Sequence, residues 1–258
     1  MTGRLGIVDW GIGGLGVVRE LRAEYMRKRT ARPAISYLSD TGSAPYGTLG
    51  AKDLEARLRR AIGFLRERGA SHVLLACNAA STALPHLSDL QHVTGVIEPT
   101  IALVAKRERG ERIAIAGGRR TIVSRTYAKA LTARGFEVTQ KIAQPLSALI
   151  EAGEQKTPKF AAAVVHVLRG TSHCDALLLA CTHYPAARAV FEDAFAGDVI
   201  DPLAAIARSV GKSLPKDAPA RAADEFLTTG DSRAMQRAAT LAWGASFASV
   251  KPRKVRLA

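Results

Sequence analysis

The chain has 258 residues, 47% of them hydrophobic, which supports one large or two small globular domains and excludes a disordered chain. Its three cysteines are too few for a disulfide framework and lack paired CxxC spacing, so no metal centre is expected and reduced thiols in a cytoplasmic setting are the default. The net charge of +14 is dispersed along helical stretches (Arg57, Arg59, Arg60, Arg66, Arg68) without interleaved aromatics, and only Lys251 to Arg256 forms a cluster; this favours a solvated basic surface that attracts small anions over a nucleic-acid interface.

The opening Met1-Thr2-Gly3-Arg4-Leu5 runs directly into a strand-like segment with no signal-peptide pattern, and no apolar run reaches membrane-spanning length. Leu5 to Asp9 reads as a strand, followed by Trp10-Gly11-Ile12-Gly13-Gly14 and a helix carrying Leu15, Val18, Leu21 and Tyr25 on one face. Ile35 to Asp40 is the next strand, and a loop follows through Ala44-Pro45-Tyr46-Gly47-Thr48. Leu54, Leu58, Ile62 and Leu65 mark a second amphipathic helix. Val73 to Cys77 is a strand, and Gly95-Val96-Ile97-Glu98-Pro99 reads as the end of another.

The plan then restarts at Arg112 to Gly118. A helix is expected over Ile122–Ala133 with Gly135 as its stop, and another over Lys159–Leu168. Leu177 to Cys181 forms the matching strand, before a helix from about Ala186 to Phe195. Val199 to Pro202 ends a further strand, Ala204–Val210 is helical, and Asp224–Asp231 adds a strand before a last helix. Strands alternating with helices imply an α/β fold with mostly parallel sheets, and two passes of one plan imply two similar lobes. Sites in such sheets lie at the carboxyl ends of the strands, where Asp9, Asp40, Cys77, Glu98, Cys181 and Asp201 are all expected.

Two of these residues share a context: Ala76-Cys77-Asn78 and Ala180-Cys181-Thr182 each end an apolar run with a thiol and a small polar residue. A thiol ordinarily ionises near pH 8.5, about where one group can serve as either acid or base. Two of them facing one carbon can remove a proton from one side and return one from the other. A buried cysteine is often only a small apolar filler, but the duplicated context argues against that for Cys77 and Cys181; Cys174 lacks it. His183, two positions after Cys181, can hold a proton, and Asp9 is either a partner for Cys77 or a helix cap. The Gly11–Gly14 run can bind an anion through its N–H groups but is not a dinucleotide fingerprint.

These residues resemble the aspartate/glutamate racemase family, and within it the glutamate racemases. The resemblance runs through Gly6-Ile7-Val8-Asp9 with Gly11 to Leu15, Asp40-Thr41, Pro45 to Thr48, Ala76-Cys77-Asn78 and Gly95 to Pro99. It continues through Thr121 with Ser124 and Tyr127, Pro145-Leu146, Glu151-Ala152-Gly153, Cys181 to Pro185, Ile200-Asp201 and Thr229-Gly230-Asp231.

The resemblance implies two pseudo-symmetric α/β lobes with the site between them: residues 1–98 with 209–258, and residues 99–208. It also implies cofactor-free racemisation with Cys77 and Cys181 exchanging the α-proton, Asp9 assisting Cys77, and His183 with Glu151 assisting Cys181. Asn78 and Thr182 would hold the amino and carboxylate groups, Thr121 would lie in the site, and the Pro45-Tyr46-Gly47 backbone would hold the side-chain carboxylate. In bacteria such an enzyme supplies D-glutamate for peptidoglycan, and the family allows a homodimer.

Three features depart from the family. Trp10 and Ala79 stand where a serine and a threonine contact the substrate, and Gly117 to Thr121 replaces a Thr-x-Gly-Thr run, leaving Arg119 and Arg120 either as new carboxylate partners or as solvated surface residues. The expectation is an amino-acid racemase, either a glutamate racemase or a specificity variant whose substrate Trp10 and Ala79 alter. The alternatives are a related carbanion-forming isomerase or lyase, or a non-catalytic binding or regulatory protein on the same scaffold.

Overall fold

The computed structural model describes residues 4–214 and 223–257; Met1 to Gly3, part of the segment read as free of a signal, lie outside them. β1 (Arg4–Asp9) leads to α1 (Leu15–Lys28), β2 (Ile35–Ser39), α2 (Ala51–Glu67), β3 (Ala70–Leu75), the one-turn α3 (Asn78–Ser81) and β4 (Val93–Gly95). After α4 (Ile97–Val104) come β5 (Arg112–Gly117), α5 (Arg119–Val123), α6 (Thr126–Thr132), β6 (Glu137–Ile142), α7 (Gln144–Glu151) and α8 (Pro158–Val167). The chain continues through β7 (Ala176–Ala180), α9 (Arg188–Ala194), β8 (Asp198–Ile200), α10 (Leu203–Ser213), β9 (Glu225–Thr228), α11 (Ser232–Trp243) and β10 (Arg253–Lys254).

Every pairing is parallel, in two sheets ordered β10-β9-β2-β1-β3-β4 and β6-β5-β7-β8. The order β2-β1-β3-β4 repeats as β6-β5-β7-β8, which is the internal symmetry expected from the two passes of one plan. Helices cover the sheets on both faces, so the central strands carry continuous apolar runs; all five residues of β7 are buried. One apolar core spans both halves, joining Ile7 and Leu15 to Leu146, Leu177 and Tyr184, with α1 packed on α10. β9 returns to pair with β2. On that pairing we propose the expected division into residues 1–98 with 209–258, and 99–208.

Four local expectations are corrected. The Gly95–Pro99 strand end stops at Gly95, because Ile97-Glu98-Pro99 opens α4, where Pro99 fits a helical first turn and Glu98 faces solvent. The helix expected over Ile122–Ala133 is two helices, α5 and α6, broken at Arg125 with φ 56°. The helix from Ala186 begins as a 3₁₀ turn, Tyr184–Ala187, that passes into α9. The basic cluster at the end of the chain is partly a strand: β10 adds Arg253 and Lys254 to the sheet edge, where positive charge discourages further pairing.

Candidate active site

In each sheet the chain winds first to one side of its central strand and then to the other, so a crevice opens at the carboxyl ends of β1/β3 and of β5/β7. Cys77 follows β3 at the first crevice as the N-terminal cap residue of α3, in extended conformation. Cys181 follows β7 at the second. The short apolar runs before them are buried strands, and the small polar residue after each starts the turn that exposes the thiol.

Both sulfurs open on one cavity of about 50 Å³. Asp9, Trp10, Asn78 and Ala79 line it with Cys77 from the first lobe. Gly47, Thr121 and His183 line it with Cys181. The cavity holds a few water molecules and is well below the roughly 300–1,000 Å³ of typical ligand pockets.

On the Cys181 side, His183 Nδ1 lies 3.8 Å from the sulfur and Nε2 lies 2.7 Å from Glu151 Oε1. The same Glu151 oxygen accepts from the Ile12 N–H at 2.7 Å. Burial opposes protonation of His183, but its bonds to Cys181 and Glu151 prevail and hold its pKa well above the ordinary imidazole value. An imidazolium beside Cys181 can therefore give and recover a proton. Gly11 and Gly13 make this approach feasible: a Cβ at Gly11 would overlap the Glu151 carboxylate.

On the Cys77 side, the Asp9 carboxylate is fully buried at the entrance to α1. It accepts from Trp10 N–H at 2.7 Å, Gly14 N–H at 2.6 Å and, across the cleft, the Thr182 hydroxyl at 3.0 Å. Asp9 is thus a cap as well as a cleft residue, and among the described residues it has no hydrogen bond to Cys77. The N–H groups of Ile12 and Gly14, which the sequence offered to an anion, are taken by the chain's own carboxylates.

Burial first, and the Asp9 charge second, push the Cys77 thiol well above its usual value, against partial relief from the Ala80 and Ala79 N–H groups. Cys77 should therefore resist iodoacetamide at neutral pH and label only above the ordinary thiol range. Asp9→Asn, which removes the charge, should move that labelling to lower pH. Mass-spectrometric labelling against pH tests this; ordinary thiol behaviour of Cys77 in both proteins would refute it.

The remaining sequence candidates divide. Asn78 is buried, and its side-chain oxygen accepts from Tyr127 OH at 2.6 Å, which fixes the amide. Thr182 and Glu151 stand behind the cavity wall, tying the lobes together through Asp9 and Ile12. Pro45 is half-buried outside the cavity. The Tyr46 side chain turns away into the core, donating to Asp40 at 2.7 Å, so only the backbone of this loop is available to a ligand. Of the six groups expected at strand ends, Asp9, Cys77 and Cys181 reach the cavity. Asp40 is a buried anchor for Arg57 and Thr229, Asp201 caps α10, and Glu98 lies on α4.

Arg120 is neither a carboxylate partner nor a solvated residue. Its guanidinium crosses the cleft to the carbonyls of Tyr46, at 3.2 Å, and Leu49. Arg119 is exposed. Sequence reasoning missed Gly118, Ala180 and, above all, Gln144 and Ser147 on α7, which complete the wall. Their only signal was position, directly before and shortly after the Pro145-Leu146 pair.

The profile of the Asp/Glu/Hydantoin racemase family matches residues 5–210. The chain is 36% identical over 216 residues to a glutamate racemase of Desulforudis audaxviator, covering 80% of this chain and 77% of the relative. It is 32% identical to the glutamate racemase of Pseudomonas entomophila, covering 93% of each. Among solved structures, it superposes on a Thermus thermophilus glutamate racemase in complex with β-chloro-D-alanine with a TM-score of 0.82 and 27% identity, covering 99% of this chain and 98% of that one. The RacE1 isoform from Bacillus anthracis gives a TM-score of 0.85 at 23% identity, a likeness of fold, again covering 99% and 98%.

Proposed function

The chain belongs to the Asp/Glu/Hydantoin racemase family, and from that premise we propose that it is a cofactor-independent amino-acid racemase working between Cys77 and Cys181. One thiol, as thiolate, takes the α-proton from one face, and the other delivers a proton to the opposite face. His183, backed by Glu151, serves Cys181; Asp9 serves Cys77. Asn78 and Thr121 hold the α-amino and α-carboxylate groups, Thr182 braces Asp9 from behind the wall, and the backbone around Gly47 meets the side chain. The observation that carries this reading is that two thiols, each at the crevice of its own sheet, open on a single cavity. The D-amino acid formed is of the kind that peptidoglycan synthesis consumes.

The substrate side chain is more confined than glutamate's. The Trp10 indole donates to Ser43 O at 3.1 Å and packs against the first-lobe core, so its ring is fixed beside the cavity where a small hydroxyl would leave room. Ala79 adds a second apolar surface. We expect solvent deuterium to enter the α-position with inversion for an amino acid with a short side chain, and only weakly for glutamate. Trp10→Ser should raise kcat/KM for glutamate at least about tenfold, as expected for a pocket that gains both space and a hydrogen bond to a charged group. A panel of the common amino acids in D₂O tests both parts. Failure of every amino acid to exchange would end the racemase reading; glutamate turnover indifferent to Trp10→Ser would end the substrate reading.

A further inference from the structure

Part of the cavity lining is polar and comes from the second lobe. Gln144 and Ser147 lie one helical turn apart on α7 and line the same space as both thiols. Gln144 reaches the junction of the lobes: its Oε1 accepts from the Arg119 N–H at 3.0 Å, and a Cβ on Gly47 would sit 3.2 Å from that oxygen. A backbone donor on Oε1 fixes which end of the amide is which, and leaves the Nε2 hydrogens as the donor. The Ser147 hydroxyl hydrogen goes to Gln144 O at 3.0 Å, so its oxygen is left as an acceptor.

Among the described residues, no lysine or arginine lines this cavity. Of the two arginines between the lining residues Gly118 and Thr121, Arg120 is committed to the Tyr46 and Leu49 carbonyls and Arg119 is exposed. Beside Gly47, where the proposed function puts the side chain, Gln144 and Ser147 thus offer one amide donor and one hydroxyl and no charge, in a space too small for a long chain.

We propose that Gln144, with Ser147, is the specificity-determining pair of this enzyme, selecting a short side chain that ends in a carbonyl oxygen. The inference rests on the racemase reading above. The chemistry is shared by a carboxylate and a carboxamide: each offers an oxygen to Gln144 Nε2, and the carboxamide also offers an N–H to Ser147. A neutral donor facing a carbonyl oxygen discriminates by the hydrogen bond left unmade when an apolar side chain takes its place.

The test is the ratio of kcat/KM for aspartate and for asparagine to that for alanine, measured by α-deuterium incorporation in the full-length protein. Gln144→Leu should lower both ratios by about 10–100-fold, the loss expected for one hydrogen bond in a buried site. Gln144→Glu, which keeps the shape but replaces the donor with a charged acceptor, should lower the aspartate ratio more than the asparagine ratio. A purely structural role for Gln144 would lower all three substrates together and leave the ratios unmoved. Ratios within about threefold of wild type in both variants, with racemisation intact, overturn this inference alone. Absence of exchange for every amino acid in the wild-type protein overturns the racemase reading, and this inference with it.

Discussion

Cys77→Ala and Cys181→Ala should each lower racemisation by about 10²–10⁴-fold, the usual worth of one positioned acid–base group. The stronger expectation is qualitative. In a two-base mechanism each thiol abstracts from one enantiomer only, because each faces one side of the α-carbon. A variant with one thiol left can still remove and return a proton on that side. Cys77→Ala should therefore wash solvent deuterium into one enantiomer without inverting it, and Cys181→Ala into the other. The two thiols are unequally set, with Cys77 pushed up by burial and by Asp9, and Cys181 beside the His183 imidazolium. That inequality cannot appear as unequal kcat/KM in the two directions, since enantiomers are equal in free energy and the two values must match. It will appear in the wash-out rates of the single-thiol variants. Enantiomer-resolved mass spectrometry reads this, and retention of racemisation within a few-fold in either variant would exclude the mechanism.

Gly13→Ala should be nearly as damaging, although it removes no functional group. The added Cβ would stand 2.6 Å from His183 Nδ1, 2.7 Å from Thr182 Oγ1 and 2.9 Å from the His183 backbone nitrogen. None of these can yield freely. His183 is held by Glu151, and Thr182 is held by Asp9. Overpacking of this kind costs about 1–3 kcal/mol, and loss of the Thr182 bond to a carboxylate about 1.5–3 kcal/mol more. The expected result is a loss of stability of about 2.5–6 kcal/mol and at least about a 100-fold fall in racemisation. Gly63→Ala is the internal contrast. It lies within α2 with nothing within 4 Å of its added Cβ, and should stabilise by up to about 1 kcal/mol. Thermal melts and initial rates of the three proteins decide the matter; a Gly13→Ala enzyme with wild-type activity would refute the packing account.

The fold was largely legible in the sequence because its signals are local. Val73-Leu74-Leu75 and Leu177-Leu178-Leu179 are buried on both faces, so they read as unbroken apolar runs. Helices such as α2 carry their buried Leu54, Leu58 and Leu65 at helical spacing. Failures occurred where local signals were ambiguous. Ile97 closes an apolar triplet that looks like a strand end, yet it begins α4, and the helix read over Ile122–Ala133 contains nothing in its composition to announce the turn at Arg125. β6 alternates weakly and is half-buried, so its period was not seen.

The site was legible only in part, and the division follows from what holds each residue in place. Two thiols, each closing an apolar run before a small polar residue, were visible because a parallel strand delivers its next residue to the cleft by local geometry alone. Their order in the chain, the His183 two positions on and the glycines around Ile12 were equally visible. What surrounds each of them was decided by tertiary structure: that Asp9 receives Thr182 from the other lobe, that Tyr46 points to Asp40 and away from the cavity, that Arg120 closes on the 46–49 backbone, and that Gln144 stands beside Gly47. All but the Tyr46–Asp40 bond, which spans six residues of one loop, join segments far apart in the chain. Their partners depend on how the helices sit against the two sheets and on how the lobes meet, and neither is encoded in the periodicity of any single segment.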